Sequence, residues 1–370
     1  MRSVLIAGGG TGGHLYPGIA VARELLSRDP TARVTFVGTA AGIESRVIPR
    51  EGLDLQMIRS AGLKGKSLRA LMRGLGLLPL SAVDAWRVVT RVKPSVVIGV
   101  GGYSSGPVVA IAAMRGVPTL LLEQNAMPGL TNRMLARIVR AAAVTYEDSI
   151  AFFGNKAFVS GNPVREEFFD ARGTSSGGQH EGAYDTNGTL PGAARVLVFG
   201  GSQGAHAINM AMVEAATQLA AASPRLEITH QTGERDLEMV RDGYRRAGLV
   251  AHVEPFLYAM HREMKSADVV ICRAGATTLA ELAASGAPSI LVPLPTATDD
   301  HQRKNALALV AKGAARMMEQ RELTGDRLAD EILALARDQA RRRQMSEAVR
   351  RFARADAARV IVDRVLELAR

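Results

Sequence analysis

Short runs of β-branched and aliphatic residues recur along the chain, separated by longer stretches whose apolar residues fall three and four apart. The short runs are continuous rather than alternating, as strands buried on both faces of a parallel sheet are, and the longer stretches supply the crossover helices such a sheet requires. Val4 to Ala7, Val34 to Val37, Val96 to Val100, Thr119 to Leu122, Ala142 to Val144 and Phe158 to Ser160 read as strands of a first sheet. Val196 to Phe199, Glu227 to Thr229, Val250 to Val253, Val269 to Cys272, Ser289 to Val292 and Ala315 to Met318 read as a second, equivalent series. The expected class is therefore α/β, duplicated in architecture although not in sequence.

A first domain is expected over residues 1–163 and a second over 164–340, with the boundary near Gly161-Asn162-Pro163. Residues 171–193, and Gly173 to Gly192 in particular, are rich in Gly, Ser, Thr and Asn. With few large apolar side chains to bury, this insertion is expected to be a mobile surface tether. Over 341–370, Ile361, Val365 and Leu368 fall at helical spacing with Val362, Leu366 and Ala369 alongside, which predicts a final amphipathic helix docked on another surface.

Composition narrows the function classes. The 370 residues are 47% hydrophobic and 22% charged, enough for two packed cores, and the 4% aromatic content means cores of Leu, Val, Ile and Ala. A single cysteine, Cys272, excludes an internal disulfide and a Cys-rich zinc centre. A start that runs straight into a strand predicts a chain without an export segment, in a reducing cytoplasm. The apolar stretches fall short of the roughly 18–20 residues of a spanning helix, so any membrane contact is expected to be peripheral.

The 46 Lys and Arg against 36 Asp and Glu leave a net charge of +10, but an Arg- and Ala-heavy chain is also what a GC-rich genome encodes. The informative feature is position: from Arg59 to Lys93 a single acid, Asp84, stands among Arg59, Lys64, Lys66, Arg69, Arg73, Arg87, Arg91 and Lys93. Between Leu63 and Leu80, leucines interleave with Lys64, Lys66, Arg69 and Arg73, the composition of a segment that enters an anionic leaflet. A solvated basic helix over a core is the alternative. No nucleic-acid partner is expected, because Arg341-Arg342-Arg343 and Arg350-Arg351 come without stacking aromatics or a reading helix.

Candidate chemistry lies in the turns after the strands. The first strand runs into Gly8-Gly9-Gly10-Thr11-Gly12-Gly13-His14, where bare backbone at a helix start can approach an anion. The run also satisfies G-x-G-x-x-G, yet a dinucleotide site needs an acid closing the second strand, and that strand ends Val37-Gly38-Thr39. Gly65-Lys66-Ser67 fails as a P-loop because Ser60 stands where glycine is required. Two further turns, Gly101 to Gly106 and Gly200 to Ala205, follow strands; at the carboxyl ends of parallel sheets the three would line a cleft between domains. His14, held among glycines, is a candidate general base. The remaining histidines show no zinc spacing and no Asp-x-Asp pair is present, so neither a metal nor another cofactor is expected.

Together, Gly9 to His14 with Pro17, Gly101-Gly102-Tyr103, Glu123-Gln124-Asn125, Gly161 to Arg165, Gly200 to Ala205, Arg273 to Glu281 and His301 to Asn305 closely resemble the MurG family of peptidoglycan glycosyltransferases. The sequence departs from the family pattern in Leu122, where the family often has His, and in the length of the 173–192 insertion. The resemblance implies a GT-B fold, two Rossmann-like domains with parallel sheets facing a cleft and a final helix returning to the first. It implies inverting, metal-free transfer of N-acetylglucosamine from UDP-GlcNAc to the 4-hydroxyl of N-acetylmuramate in undecaprenyl-linked lipid I, giving lipid II for the cell wall. By the same resemblance Ala276, Thr277, Thr278, Leu279, Ala280 and Glu281 lie along uridine and ribose, and Leu257 borders uracil. Ser202 and Arg165 suit the diphosphate, and Asn125 and Gln302 the sugar hydroxyls. Gly10, Thr11, Gly12 and Gly13 would lie beside the transferred sugar, and Gly101, Gly102 and Tyr103 on the acceptor side. His14 and Glu123 are rival bases, the latter because a partly buried carboxylate can have its pKa raised. The implied setting is the cytoplasmic face of the inner membrane, held peripherally by an anionic surface beside other cell-wall synthesis proteins.

Overall fold

The computed structural model describes residues 2–60, 68–169, 193–201, 204–297 and 300–370, with backbone only for 68–75. The expected tether at 173–192 and the segment Leu63 to Ser67 fall outside the described residues. The chain forms two compact units: Met1–Arg165 with Arg354–Arg370, and Glu166–Ala353.

Unit 1 is a parallel sheet of β1 (Ser3–Gly8), β2 (Arg33–Gly38), β3 (Asp54–Met57), β4 (Val96–Gly101), β5 (Thr119–Glu123), β6 (Ala141–Val144) and β7 (Ala157–Val159). Their order is β3-β2-β1-β4-β5-β6-β7, reversing direction between β1 and β4 as doubly wound sheets do. Six of these strands are the expected ones; β3 is additional. Its sequence, Asp-Leu-Gln-Met, has no apolar run because it closes the sheet's edge and is only half buried. The central strands are covered on both sides. Val4 and Ile6 pack on one face with Leu15 and Ile19 of α1 (Gly12–Arg28), while Leu5 and Ala7 pack on the other with Val88 and Val89 of α3 (Leu68–Val92) and Val108 and Val109 of α4 (Ser105–Met114). Two short helices, α2 (Glu44–Arg50) and α5 (Leu130–Leu135), follow β2 and β5.

Unit 2 repeats the plan with β8 (Ala194–Phe199), β9 (Leu226–Gln231), β10 (Ala251–Glu254), β11 (Val269–Cys272), β12 (Ser289–Leu291) and β13 (Arg316–Met317). Their order is β10-β9-β8-β11-β12-β13, again all parallel. Among its helices are α7 (His206–Ala220), α8 (Leu237–Ala247), α10 (Ala276–Ser285), α12 (Gly325–Arg337) and α13 (Gln339–Arg350).

The return to unit 1 comes at Arg354 rather than at residue 341. Met345 of α13 is buried in the unit 2 core, and Arg350 donates to the carbonyl of Ser285 at 3.0 Å. Only α14 (Ala357–Leu368) crosses over: Ile361, Val362 and Val365 are fully buried with α1, and Arg28 meets Asp363 at 2.8 Å.

Candidate active site

In unit 1 the loops after β1, β4 and β5 interlock. A Cβ on Gly102 would lie 2.5 Å from the carbonyl of Gly9, one on Gly101 would lie 2.7 Å from Nδ1 of His14, and one on Gly10 would lie 3.1 Å from the Tyr103 hydroxyl. Gly10, Gly101 and Gly102 also hold positive φ, so glycine is required both for conformation and for space. His14 in the first turn of α1 is thereby held half-buried against Gly101, with Thr11 and Gly13 exposed beside it.

The anion beneath the first loop is the chain's own. Glu44, 1% exposed at the start of α2, accepts from the Gly10 N–H at 2.8 Å, the Thr39 N–H at 2.8 Å and the Thr39 hydroxyl at 3.1 Å. Gly9, Gly38 and Gly42 surround it, and a Cβ on any of them would sit within 2.5 Å of a Glu44 side-chain atom. The acid missing from the end of β2 is therefore present six residues beyond Gly38, turned inward onto backbone. Gly10's N–H is spent inside the protein rather than offered to a phosphate. Sequence reading passed over Glu44 because an acid in the first turn of a helix ordinarily marks a surface N-terminus; the glycines at 38 and 42 were the available signal.

Glu123, 2% exposed, is saturated. Its Oε1 accepts from the N–H and Nδ2 of Asn125 at 3.0 and 3.3 Å, and its Oε2 from the Gly129 N–H and Asn132 Nδ2 at 3.0 and 2.9 Å. Such a carboxylate pins the turn after β5. Gln124 Nε2 donates to the carbonyl of Val100 at 3.1 Å and ties this turn to the end of β4. Arg165 closes the first long segment of unit 1 with its guanidinium 4.6 Å from the Tyr16 ring centroid.

Unit 2 likewise gathers its candidates at the carboxyl ends of its strands, where open α/β sheets bind ligands. Gly200, Gly201, Gly204 and Ala205 follow β8, while Ser202 lies outside the described residues. Gly204 (φ +74°) lies so close to the Thr232 carbonyl that no Cβ fits. Leu257 is half-buried beyond β10, and its N–H donates to Gln231 Oε1 at 2.9 Å. Ala276, Thr277, Thr278, Leu279, Ala280 and Glu281 form most of α10, which begins after Gly275; Thr277 and Glu281 are buried. Gln302 accepts from the Leu294 N–H at 3.0 Å, and Arg273 braces the same turn by donating to the carbonyls of Val292 and Pro293 at 3.1 and 3.2 Å.

Behind this edge a polar core holds the turn after β9. Asn209 Nδ2 donates to the Thr232 carbonyl and to Asp236, both at 2.9 Å, and its Oδ1 accepts from His230 Nε2 at 3.1 Å. His230 Nδ1 in turn accepts from the Tyr244 hydroxyl at 2.7 Å, and complete burial pushes the imidazole pKa down to about 3. Burial also pushes up the thiol of Cys272, which makes it a core residue rather than a nucleophile. Among the described residues no three or more His, Cys, Asp and Glu side chains are grouped to hold a metal ion.

Comparison with known proteins gives this geometry its context. Residues 4–144 match the glycosyltransferase family 28 N-terminal domain, and 195–361 the C-terminal domain of the same family. A UDP-N-acetylglucosamine–N-acetylmuramyl-(pentapeptide) pyrophosphoryl-undecaprenol N-acetylglucosamine transferase of Pelobacter propionicus is 48% identical, covering 98% of each chain. The enzyme of that name from Myxococcus xanthus is 46% identical over all of this chain and 93% of its own. The crystal structure of Acinetobacter baumannii MurG superposes with a TM-score of 0.72 at 29% identity, covering 99% of this chain and all of that one. The duplicated Rossmann-like sheets are thus those of a GT-B glycosyltransferase, and the chain belongs to glycosyltransferase family 28, among its MurG enzymes.

Proposed function

We infer that this chain does what its relatives are named for: it moves N-acetylglucosamine from UDP-GlcNAc onto undecaprenyl-pyrophosphoryl N-acetylmuramyl-pentapeptide, lipid I, to give lipid II. Unit 2 takes the nucleotide sugar along α10, with Glu281 accepting from the ribose diol and Leu257 bordering the base. Unit 1 takes the acceptor. The muramyl 4-hydroxyl oxygen attacks the anomeric carbon, the bond to UDP breaks on the opposite side, and His14 removes the hydroxyl proton, so the configuration inverts. Charge developing on the leaving diphosphate is met by backbone N–H groups and by Ser202 and Arg165.

The observation that carries the base assignment is the contrast between the two rivals. His14 stands half-buried on the rim of the interlocked glycine loops, whereas both oxygens of Glu123 already hold structural donors. Glu123 then acts by holding Asn125 in place. The direct test is incubation with radiolabelled UDP-GlcNAc and a lipid I analogue; absence of labelled lipid product would sink the reading. Activity should persist in EDTA, because no step calls on a metal. Loss of turnover that magnesium or manganese alone restores would reverse that expectation.

The lipid-linked acceptor brings a membrane surface with it. Among the described residues no helix is long and apolar enough to cross one. On α3, however, Leu78, Leu80, Val83 and Trp86 are exposed, Trp86 to 49%, and Arg115 lies 4.7 Å from the Trp86 ring centroid. Exposed apolar side chains on α3, with the Arg115 cation after α4 stacked on Trp86, support peripheral docking on an anionic leaflet, consistent with the cytoplasmic membrane face as the place of work.

A further inference from the structure

Gln231, the last residue of β9, carries its amide between two segments that the functional reading assigns to different parts of the donor. Its Nε2 donates to the carbonyl of Gly201 in the turn after β8 at 2.8 Å, and its Oε1 accepts from the N–H of Leu257 beyond β10 at 2.9 Å. The orientation of the amide is dictated by its partners. A carbonyl can only accept and an N–H can only donate, so the flipped amide would set like against like at both ends. Gln231 is 2% exposed, so its amide depends on these two protein partners.

The backbone around it repeats the connection. The N–H groups of Thr232 and Gly233 donate to the carbonyls of Glu254 and Pro255 at 3.0 and 3.1 Å. On the other side Gly204 packs directly on the Thr232 carbonyl. Those backbone bonds hold the β9 turn to the β10 segment, but among the described residues the Gly201 carbonyl is reached from this turn by the Gln231 side chain. One amide therefore bridges the glycine turn and the Leu257 segment directly, alongside these backbone contacts.

We propose that Gln231 is a positioning residue for the nucleotide sugar, fixing the glycine turn that meets the diphosphate at a set distance from the segment that meets the uracil. This rests on the reading that unit 2 holds the donor. The role predicts a binding effect: the preformed spacing is used in the ground state and the transition state alike, so its loss raises KM and leaves kcat at saturating donor unchanged. It also predicts an asymmetry. Gln231→Glu keeps an acceptor for Leu257 but turns a carboxylate oxygen on the Gly201 carbonyl, whereas Gln231→Leu removes both bonds.

The test uses the full chain, with UDP and uridine as calorimetric probes and UDP-GlcNAc with a lipid I analogue for kinetics. For Gln231→Glu we expect KM for UDP-GlcNAc and Kd for UDP to rise about tenfold, as the loss of one part-buried hydrogen bond implies. Uridine binding should weaken less. Gln231→Leu should weaken UDP and uridine together. Unchanged KM and Kd in both variants would overturn the proposal, as would a fall in kcat with KM unchanged, which is what a smaller folded fraction produces. Failure of the wild-type chain itself to bind UDP would overturn the donor assignment to unit 2 and the proposal with it.

Discussion

Removing the carboxylate of Glu44 while keeping its shape tests whether the first glycine loop is built around it. In Glu44→Gln the amide oxygen can serve either the Gly10 N–H or the Thr39 pair, and the amide NH2 then faces a backbone donor at the other end. A buried donor left without an acceptor costs about 1–3 kcal/mol, and bonds to a charged group lie at the upper end of that range. We therefore expect Glu44→Gln to cost about 2–3 kcal/mol. Glu44→Ala strands all three donors and opens a cavity, offset in part by no longer burying a charge, for about 3–5 kcal/mol. Urea unfolding followed by circular dichroism reads both. The glycines supply an internal control. Gly38→Ala sets a Cβ 2.2 Å from Glu44 Cγ and should be strongly destabilising alone, but much less so on top of Glu44→Ala, which vacates that space. Strict additivity in this double-mutant cycle would refute the account, since sites that share a space must couple. So would a Glu44→Gln protein within about 0.5 kcal/mol of wild type, the range of ordinary surface changes.

His14→Ala should lower kcat by roughly 100-fold or more while UDP binding is kept, the effect of losing a base; kcat near that of wild type would exclude it from proton transfer. Glu123→Gln, by contrast, should lower thermal stability, and retained stability with lost kcat would return the base role to Glu123. Changing Leu78, Val83 and Trp86 together to Ser should abolish co-sedimentation with anionic vesicles that high salt only partly releases from wild type, because insertion is indifferent to screening; equal binding of variant and wild type would make this a solvated face. His230 titrates below its unfolded value, so the stability it contributes is full above about pH 6.5 and falls as pH drops toward 3, by about 2 kcal/mol at pH 5. His230→Gln should flatten the urea midpoint between pH 7 and 5, and an unchanged slope would show that other groups set it.

The strand series was legible because strands buried on both faces must be continuously apolar, and that is a local property of the chain. Central strands such as β4, β6 and β11 carry that mark, whereas the edge strands β3, β10 and β13 lie half in water and mix in polar residues. The glycine turns were legible for the same reason: positive φ and close backbone approach demand glycine wherever they occur, as at Gly10, Gly101 and Gly204. Tertiary structure alone decided how polar side chains are used. Glu44 reaches Gly10 across 34 positions, and Gln231 reaches Gly201 across 30. Glu123 reads as a candidate base by type, and only the tertiary structure shows four donors, from Asn125, Gly129 and Asn132, on its two oxygens. The end of unit 2 was likewise decided in space, since α13 and α14 are both helices by pattern and only burial of Met345 in one core and Ile361 in the other separates them. A sequence states which groups can donate, accept or ionise; whether a buried group is spent inside the fold or left for a ligand depends on distances between residues remote in the chain, and those exist only once the sheets have formed.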